Sequence, residues 1–253
     1  DGQPSQPSAG GQFFQAEDGI RDRSPSRGLG DVYKRQAQIN SKEIKKGDIF
    51  FAIRGRKNNG NKFVSEAFNK KASIAIVNKI NKNNDIKCQI KVKDTLKFLT
   101  QSSKVYRQNI DTKIIAITGS CGKTTLKDLL GNSLKKLSKT STSPKSYNNK
   151  YGVPLSLFNL NQKDDYGVLE MGMDKKGEID YLSKIAQPDV SVITNINYAH
   201  AKNFKNLKQI ALAKSEIIHN TKNDGFIVLN ADDNFFTFHT KIALKKNLKI
   251  VSF

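Results

Sequence analysis

Residues 114–130, IIAITGSCGKTTLKDLL, hold the change of pattern that decides the fold. Ile114 to Thr118 is an unbroken apolar, β-branched run, the signature of a strand buried on both faces. From Lys123 to about Leu137 the apolar residues recur with helical spacing. Between them lies a short loop with glycines at 119 and 122. A Gly-Lys-Thr string rises above chance in this context of strand, glycine loop and helix. Gly119 and Gly122 let the backbone turn tightly, so that its N–H groups point at phosphate oxygens. The helix starting near Lys123 adds its positive end. Lys123 supplies a point charge for β- and γ-phosphates, and Thr124 a hydroxyl for Mg²⁺. Thr118, Gly119, Ser120, Cys121, Gly122, Lys123, Thr124 and Thr125 thus read as an ATP phosphate cradle. The strict spacing would put glycine at 117, where Ile117 stands. The competing reading is a chance loop before a basic helix. Cys121 reads as a small space-filling residue whose backbone is used, rather than as a nucleophile.

Working outward, strand-like and helix-like segments alternate. Asp48 to Ile53, Ser73 to Val77 and Gln89 to Val92 read as strands. Lys62 to Lys71 has helical spacing in Phe63, Ala67 and Phe68. Asp94 to Arg107 is a helix with Asp94 as N-cap and Leu96, Leu99 and Val105 on one side. After the loop helix come strand Gly167 to Met171, helix Glu178 to Ile185, strand Val190 to Thr194, helix Leu207 to His219, and strands Phe226 to Leu229 and Lys249 to Ser252. This pattern predicts an α/β protein. Its expected architecture is a small N-terminal α/β domain over 37–110 and a doubly wound, mostly parallel ATPase sheet over 111–253, with the boundary near Asn109 to Lys113.

The chain carries 43 Lys+Arg against 23 Asp+Glu, a net charge of +20. A basic face attracts nucleic acid. Here, however, the lysines are scattered among asparagines, with no arginine stripe or aromatic platform, which reads as a generally basic surface. Cys88 and Cys121 form no CxxC pair, so neither a zinc site nor a disulfide framework is suggested. No apolar run approaches the ~20 residues that span a bilayer. Residues 1–36 differ from the rest: they hold three of the six prolines and six of the 17 glycines but one lysine. Phe13 to Gln36 resembles the translation of a sequencing-library adapter, and no secretory pattern is present. Residues 1–36 are therefore expected to be foreign to the fold and disordered.

Glu170 ends an apolar strand, at the edge where ligands sit in doubly wound sheets, and is placed to hold Mg²⁺; the alternative is a solvated loop acid. His200 follows the next strand. A lone histidine is more often structural or exposed than a ligand. Lys214 falls on the helical pattern of Ile210, Ala213 and Ile217, where an exposed or snorkelling lysine is the ordinary expectation. His219 and His239 have no such context.

Several strings together resemble the Mur ligase family: AITGSCGKTT (116–125), SYNNKYGVPLSL (146–157), LEMGMDKKGEI (169–179), ITNINYAH (193–200) and AKSEI (213–217). KKGDIFFAIRG (45–55) and NGNKF (59–63) resemble that family's uridine-nucleotide-binding domain. The Gly-Lys-Thr loop is shared by all Mur and folylpolyglutamate-type ligases. NNxxGVPL and EMGMxxxGEI tilt toward the member that joins D-Ala-D-Ala to UDP-MurNAc-tripeptide in peptidoglycan precursor synthesis.

The resemblance implies ATP and Mg²⁺ as cofactors. It makes Lys123 and Thr124 phosphate and metal contacts, Glu170 and His200 metal ligands, and Lys214 a carbamylated lysine. Lys123, Lys214 and His200 form the implied catalytic set. Asn195 is implied near nucleotide or metal, and Ser41, Asn148 and Asn149 near substrate. It further implies a cytoplasmic monomer acting on small molecules, with no specific nucleic acid and no membrane insertion. Asn40-Ser41-Lys42 stands where the family shows Asp-Ser-Arg, Asn61 where histidine is common, and Ala201-Lys202 where Leu-Glu often follows. The chain stops at Phe253, soon after VLNADD (228–233), before the family's closing domain. The fragment alone is therefore expected not to ligate. The alternatives are a sister ligase that adds a single amino acid and a nucleic-acid-associated ATPase.

Overall fold

The computed structural model describes residues 36–55, 58–198 and 203–253. The first part runs β1 (Ala37–Gln38), β2 (Ile49–Phe51), α1 (Val64–Asn69), β3 (Ile74–Val77), β4 (Gln89–Lys91) and α2 (Thr95–Gln108). The second runs β5 (Lys113–Thr118), α3 (Lys123–Lys135), β6 (Thr140–Thr142), α4 (Gly152–Phe158), β7 (Tyr166–Glu170), α5 (Glu178–Ala186) and β8 (Val190–Ile193). It closes with α6 (Leu207–Asn220), β9 (Phe226–Leu229), α7 (Phe236–Lys245) and β10 (Lys249–Ser252). The foreign-looking residues 1–35 lie outside the described residues.

β5 is central in a six-stranded sheet of order β10-β9-β8-β5-β7-β6, and every pair in it is parallel. Its side chains alternate as a strand requires. Ile114 and Ala116 join the cluster that holds Ile179, Leu182, Ile210 and Ile217 of α5 and α6. Ile115 and Ile117 face the other way, against Leu126, Leu130 and Leu134 of α3. Burial on both faces is why the run shows no polar alternation. The chain leaves β5 for β6, returns to β7, then crosses to β8 on the opposite side. The carboxyl end of β5 therefore lies at the reversal of strand order, where doubly wound sheets bind ligands.

A second, four-stranded parallel sheet has the order β1-β2-β3-β4. The two sheets share a core: Ala37, Phe51, Ile76 and Leu99 pack with Leu155 of α4 and against Phe158 and Tyr147. Asn159 clamps the first strand's backbone, with Oδ1 accepting from Ala37 N at 2.7 Å and Nδ2 donating to Ala37 O at 2.9 Å.

Details of the sequence reading need correction. The 62–71 helix is a 3-10 turn, Gly60–Phe63, followed by α1, which buries Val64 and Ala67 and leaves Phe63 exposed. Asp94 does cap α2, accepting from Lys97 N at 2.9 Å. The buried face of α2 is Leu99, Ser103 and Arg107, spaced by four, so Val105 lies off it and is exposed. Helices α4 and α7 and strands β1 and β6 are additions. In α4, residues 152–157 are all buried, so no amphipathic period marks it. Its Pro154 sits in the first turn, where a missing N–H costs little.

Candidate functional site

The Gly loop is shaped by its neighbour strand. Gly119 has φ +146°, and a Cβ there would stand 1.8 Å from Thr194 Oγ1, so no other residue fits. Ser120 N donates to Asn195 O at 2.9 Å, and Cys121 N to Asn195 Oδ1 at 3.0 Å. Thr194 Oγ1 donates to Cys121 O at 2.6 Å, and Ser120 Oγ to Asn197 O at 2.9 Å. Asn195 thus fixes the loop itself. The Cys121 side chain is exposed, not space-filling. Gly122 caps α3 in a left-handed conformation, leaving the helix's first-turn N–H groups without intrahelical acceptors. Lys123 folds back over the loop, with Nζ donating to Gly119 O at 2.8 Å and Ser120 O at 3.2 Å.

Beside the loop, Glu170 ends β7 and is 2% exposed, so the solvated-acid alternative is overturned. Its Oε2 accepts from Thr124 Oγ1 and its Oε1 from Asn148 Nδ2, both at 2.7 Å. A hydroxyl and a carboxylate in contact suit a hard cation that takes its other oxygens from phosphate and water, as Mg²⁺ does. Among the described residues no cluster of three His, Cys, Asp or Glu could cage a metal alone. His200 lies outside the described residues.

Lys214 of α6 is buried, not exposed as its periodicity suggested. Its amine has no hydrogen-bond or ion-pair partner among the described residues. Burial first, and then the neighbouring Lys123 charge, lower its pKa from 10.5 to about 7.

A cleft of about 910 Å³ joins Ser120–Thr125, Asn148, Asn149 and Glu170 to the Asp174–Glu178 turn. A second cavity of about 530 Å³ lies beyond the Ser146–Tyr151 segment and is lined by Asn40, Ser41 and Lys42. Asn149 and Tyr151 line both. Ser41 is therefore separate from the phosphate loop, and its Oγ donates to Glu66 Oε2 at 2.9 Å. Asn149 Oδ1 accepts from Tyr151 N and Gly152 N at 3.0 and 3.1 Å, shaping the entry to α4.

Sequence reasoning missed Thr194, Asn197 and Asp233. Asp233 Oδ2 accepts from Ile196 N at 2.6 Å and steadies the segment that grips the loop. The VLNADD string was visible, but nothing local tied it to residues 37 positions away.

Parallel sheet, strand-order reversal and glycine loop together define the class: an α/β protein of the phosphate-loop type. Within it, the chain belongs to the Mur ligase family, whose middle domain matches residues 117–253. The UDP-N-acetylmuramoyl-tripeptide–D-alanyl-D-alanine ligase of Buchnera aphidicola from Acyrthosiphon pisum is 36% identical over 225 residues, 88% of this chain and 48% of that protein. The Bacillus subtilis ligase of the same name is 35% identical over 209 residues, 80% and 45%. A crystal structure of MurF from Acinetobacter baumannii superposes with a TM-score of 0.76 at 35% identity, covering 86% of this chain and 47% of that one. MurF from Thermotoga maritima in complex with ADP gives 0.73 at 31%, covering 88% and 51%. The chain spans about half the length of these relatives. Among the described residues no helix is long and apolar enough to cross a membrane.

Proposed function

We propose that the protein is an ATP-dependent ligase that joins D-Ala-D-Ala to UDP-MurNAc-tripeptide, with residues 111–253 taking ATP and residues 37–110 the uridine nucleotide. The observation that carries this reading is the Thr124–Glu170 contact at 2.7 Å beside the phosphate loop. The relatives named for this reaction support the substrates, and the ADP complex of the Thermotoga relative supports the nucleotide.

The first-turn N–H groups of α3 and Lys123 receive the phosphates, with Lys123 exchanging its two carbonyl partners for phosphate oxygens. Thr124 and Glu170, joined by His200, would hold Mg²⁺, which neutralises phosphate charge when bound. Asn148 steadies Glu170, Thr194 holds the Cys121 carbonyl, and Asn195 holds the Ser120 and Cys121 N–H groups. The tripeptide carboxylate attacks the γ-phosphorus, giving an acyl phosphate and ADP. The D-Ala-D-Ala amine then attacks the acyl carbon, and phosphate leaves. An amine with a pKa near 7 is partly unprotonated at neutral pH. Lys214 can therefore add to CO₂, releasing a proton, and the resulting carbamate supplies a carboxylate-like group beside the phosphates. Ser41 and Asn149 line the substrate side. The substrates and the unpaired cysteines fit the cytoplasm, and one chain suffices to build both cavities.

A protein carrying this chain at its relatives' length, given ATP, UDP-MurNAc-tripeptide and D-Ala-D-Ala, is expected to form one ADP per amide bond. Lys123→Ala and Glu170→Ala are each expected to lower the rate about 100-fold or more. Lys214→Ala is expected to regain activity with added short carboxylates. Preference for a single amino acid would shift the reading to a sister ligase. Hydrolysis driven by DNA with steep salt dependence would overturn it.

A further inference from the structure

Lys127 lies on α3, four residues beyond Lys123, and is 1% exposed. A lysine is almost never fully buried unless its amino group is paired. Nζ donates to Lys145 O at 2.6 Å and lies 3.2 Å from Asp128 Oδ1. Lys145 has φ +49°, a left-handed conformation uncommon for a residue other than glycine. The bond therefore holds the 143–149 loop at its least favourable backbone position.

That loop reaches Glu170 from two directions. Ser143 N donates to Val168 O at 2.9 Å, and Ser143 Oγ accepts from Glu170 N at 3.3 Å. Asn148 O accepts from Gly172 N at 2.7 Å, while Asn148 Nδ2 donates to Glu170 Oε1. On the other side Lys145 Nζ and Tyr147 OH reach Glu43 at 3.1 and 3.5 Å. The loop is thus part of the wall between the two cavities, and Lys127 ties it to the helix that carries the phosphate loop.

We infer that Lys127 is a positioning residue: by holding the 143–149 loop it sets the Glu170 carboxylate for a metal–nucleotide complex. The inference deepens the proposed function and rests on it. Lys127 touches neither cavity, so its effect passes through Lys145, Asn148 and Glu170.

The test is ADP binding to the 253-residue chain, titrated with Mg²⁺, in the parent, Lys127→Met and Lys127→Arg, alongside amide hydrogen exchange without metal. Loss of a group that orients a metal ligand typically costs 10–100-fold in metal affinity. Lys127→Met is expected to need about tenfold more Mg²⁺. Its metal-free ADP affinity is expected to stay unchanged, and the amides of Tyr147 and Asn148 to exchange faster. Lys127→Arg, which keeps a charged donor, is expected to hold the parent's Mg²⁺ dependence. Lys127→Gln is read in place of Lys127→Met should that variant not fold. A Mg²⁺ requirement within about twofold of the parent, or equal loss of metal-free ADP binding, overturns the inference and leaves the ligase reading intact. A parent whose ADP affinity is the same with and without Mg²⁺ overturns the inference as well.

Discussion

Lys214 pairs deep burial with the neighbouring charge of Lys123, and the nearby Cys121 thiol offsets them only in small part. In the unfolded chain its amine keeps a proton up to about pH 10.5; in the folded protein it releases it near pH 7. Between those values the unfolded state binds more protons, so folding stability rises with pH across that window and is lowest below pH 7. In bicarbonate-free buffer, denaturant unfolding is expected to show this rise in the parent. Lys214→Met should flatten it and be more stable than the parent at pH 6, the two converging toward pH 10. A parallel pH dependence in both proteins would place the proton elsewhere. The sequence placed Lys214 on a helix but not its burial. Ile210, Ala213 and Ile217 define an apolar stripe, and Lys214 lies next to that stripe, under the phosphate loop, only once α6 packs on β8. The strand, glycine loop and helix around Thr118–Thr125 were legible because their pattern is local, whereas the grip of Asn195 on the Ser120 and Cys121 N–H groups was not. The Asn148–Glu170 contact was not, because it spans 22 residues and depends on the path of a loop.

At the scale of elements, the phosphate loop owes its shape to β8 as much as to its own glycines. Gly119→Ala puts a methyl group where Thr194 Oγ1 stands and imposes φ +146° on a residue with a Cβ. The backbone term alone costs about 1–3 kcal/mol. The variant is expected to unfold at lower urea concentration than the parent, with weaker ADP binding. Equal midpoints would mean that the loop moves freely of Thr194. The strands of the central sheet were legible as short apolar runs, and all but β6 were anticipated. Its three residues, Thr140–Thr142, are half-buried threonine and serine, which carry no hydrophobic signal. α7 begins Phe-Thr-Phe-His-Thr, a stretch of β-formers that becomes helical by packing against the sheet.

At the scale of the whole molecule, Arg107 ties the end of α2 to the base of the central sheet. It is 3% exposed and donates to the carbonyls of Ala186, Thr112 and Gln187 and to Asp189 Oδ2 at 2.8 Å. Asp189 also accepts from Ile114 N and Lys222 Nζ. Arg107→Met leaves four carbonyls, that of Ile110 included, and part of a carboxylate unpaired, and is expected to cost about 3 kcal/mol in chemical denaturation. A cost below about 1 kcal/mol would mean that water replaces the guanidinium. The sequence suggested a division near Asn109 to Lys113; the strands on either side form two sheets that share the cluster of Ala37, Phe51, Leu99 and Leu155. The pattern could not show that α2, counted with the first sheet, packs on α4 and α5, with Ser103 Oγ donating to Pro154 O at 2.8 Å and Arg107 to Ala186 O.

The Asn159 clamp on Ala37 has a consequence for how the protein comes apart. One amide side chain, 122 residues away, occupies both the backbone donor and the backbone acceptor of Ala37 in the first strand. The small sheet therefore draws its edge and part of its core from the larger one. Melting should be all-or-none across both sheets, and a piece severed at residue 110 should not persist as a folded body.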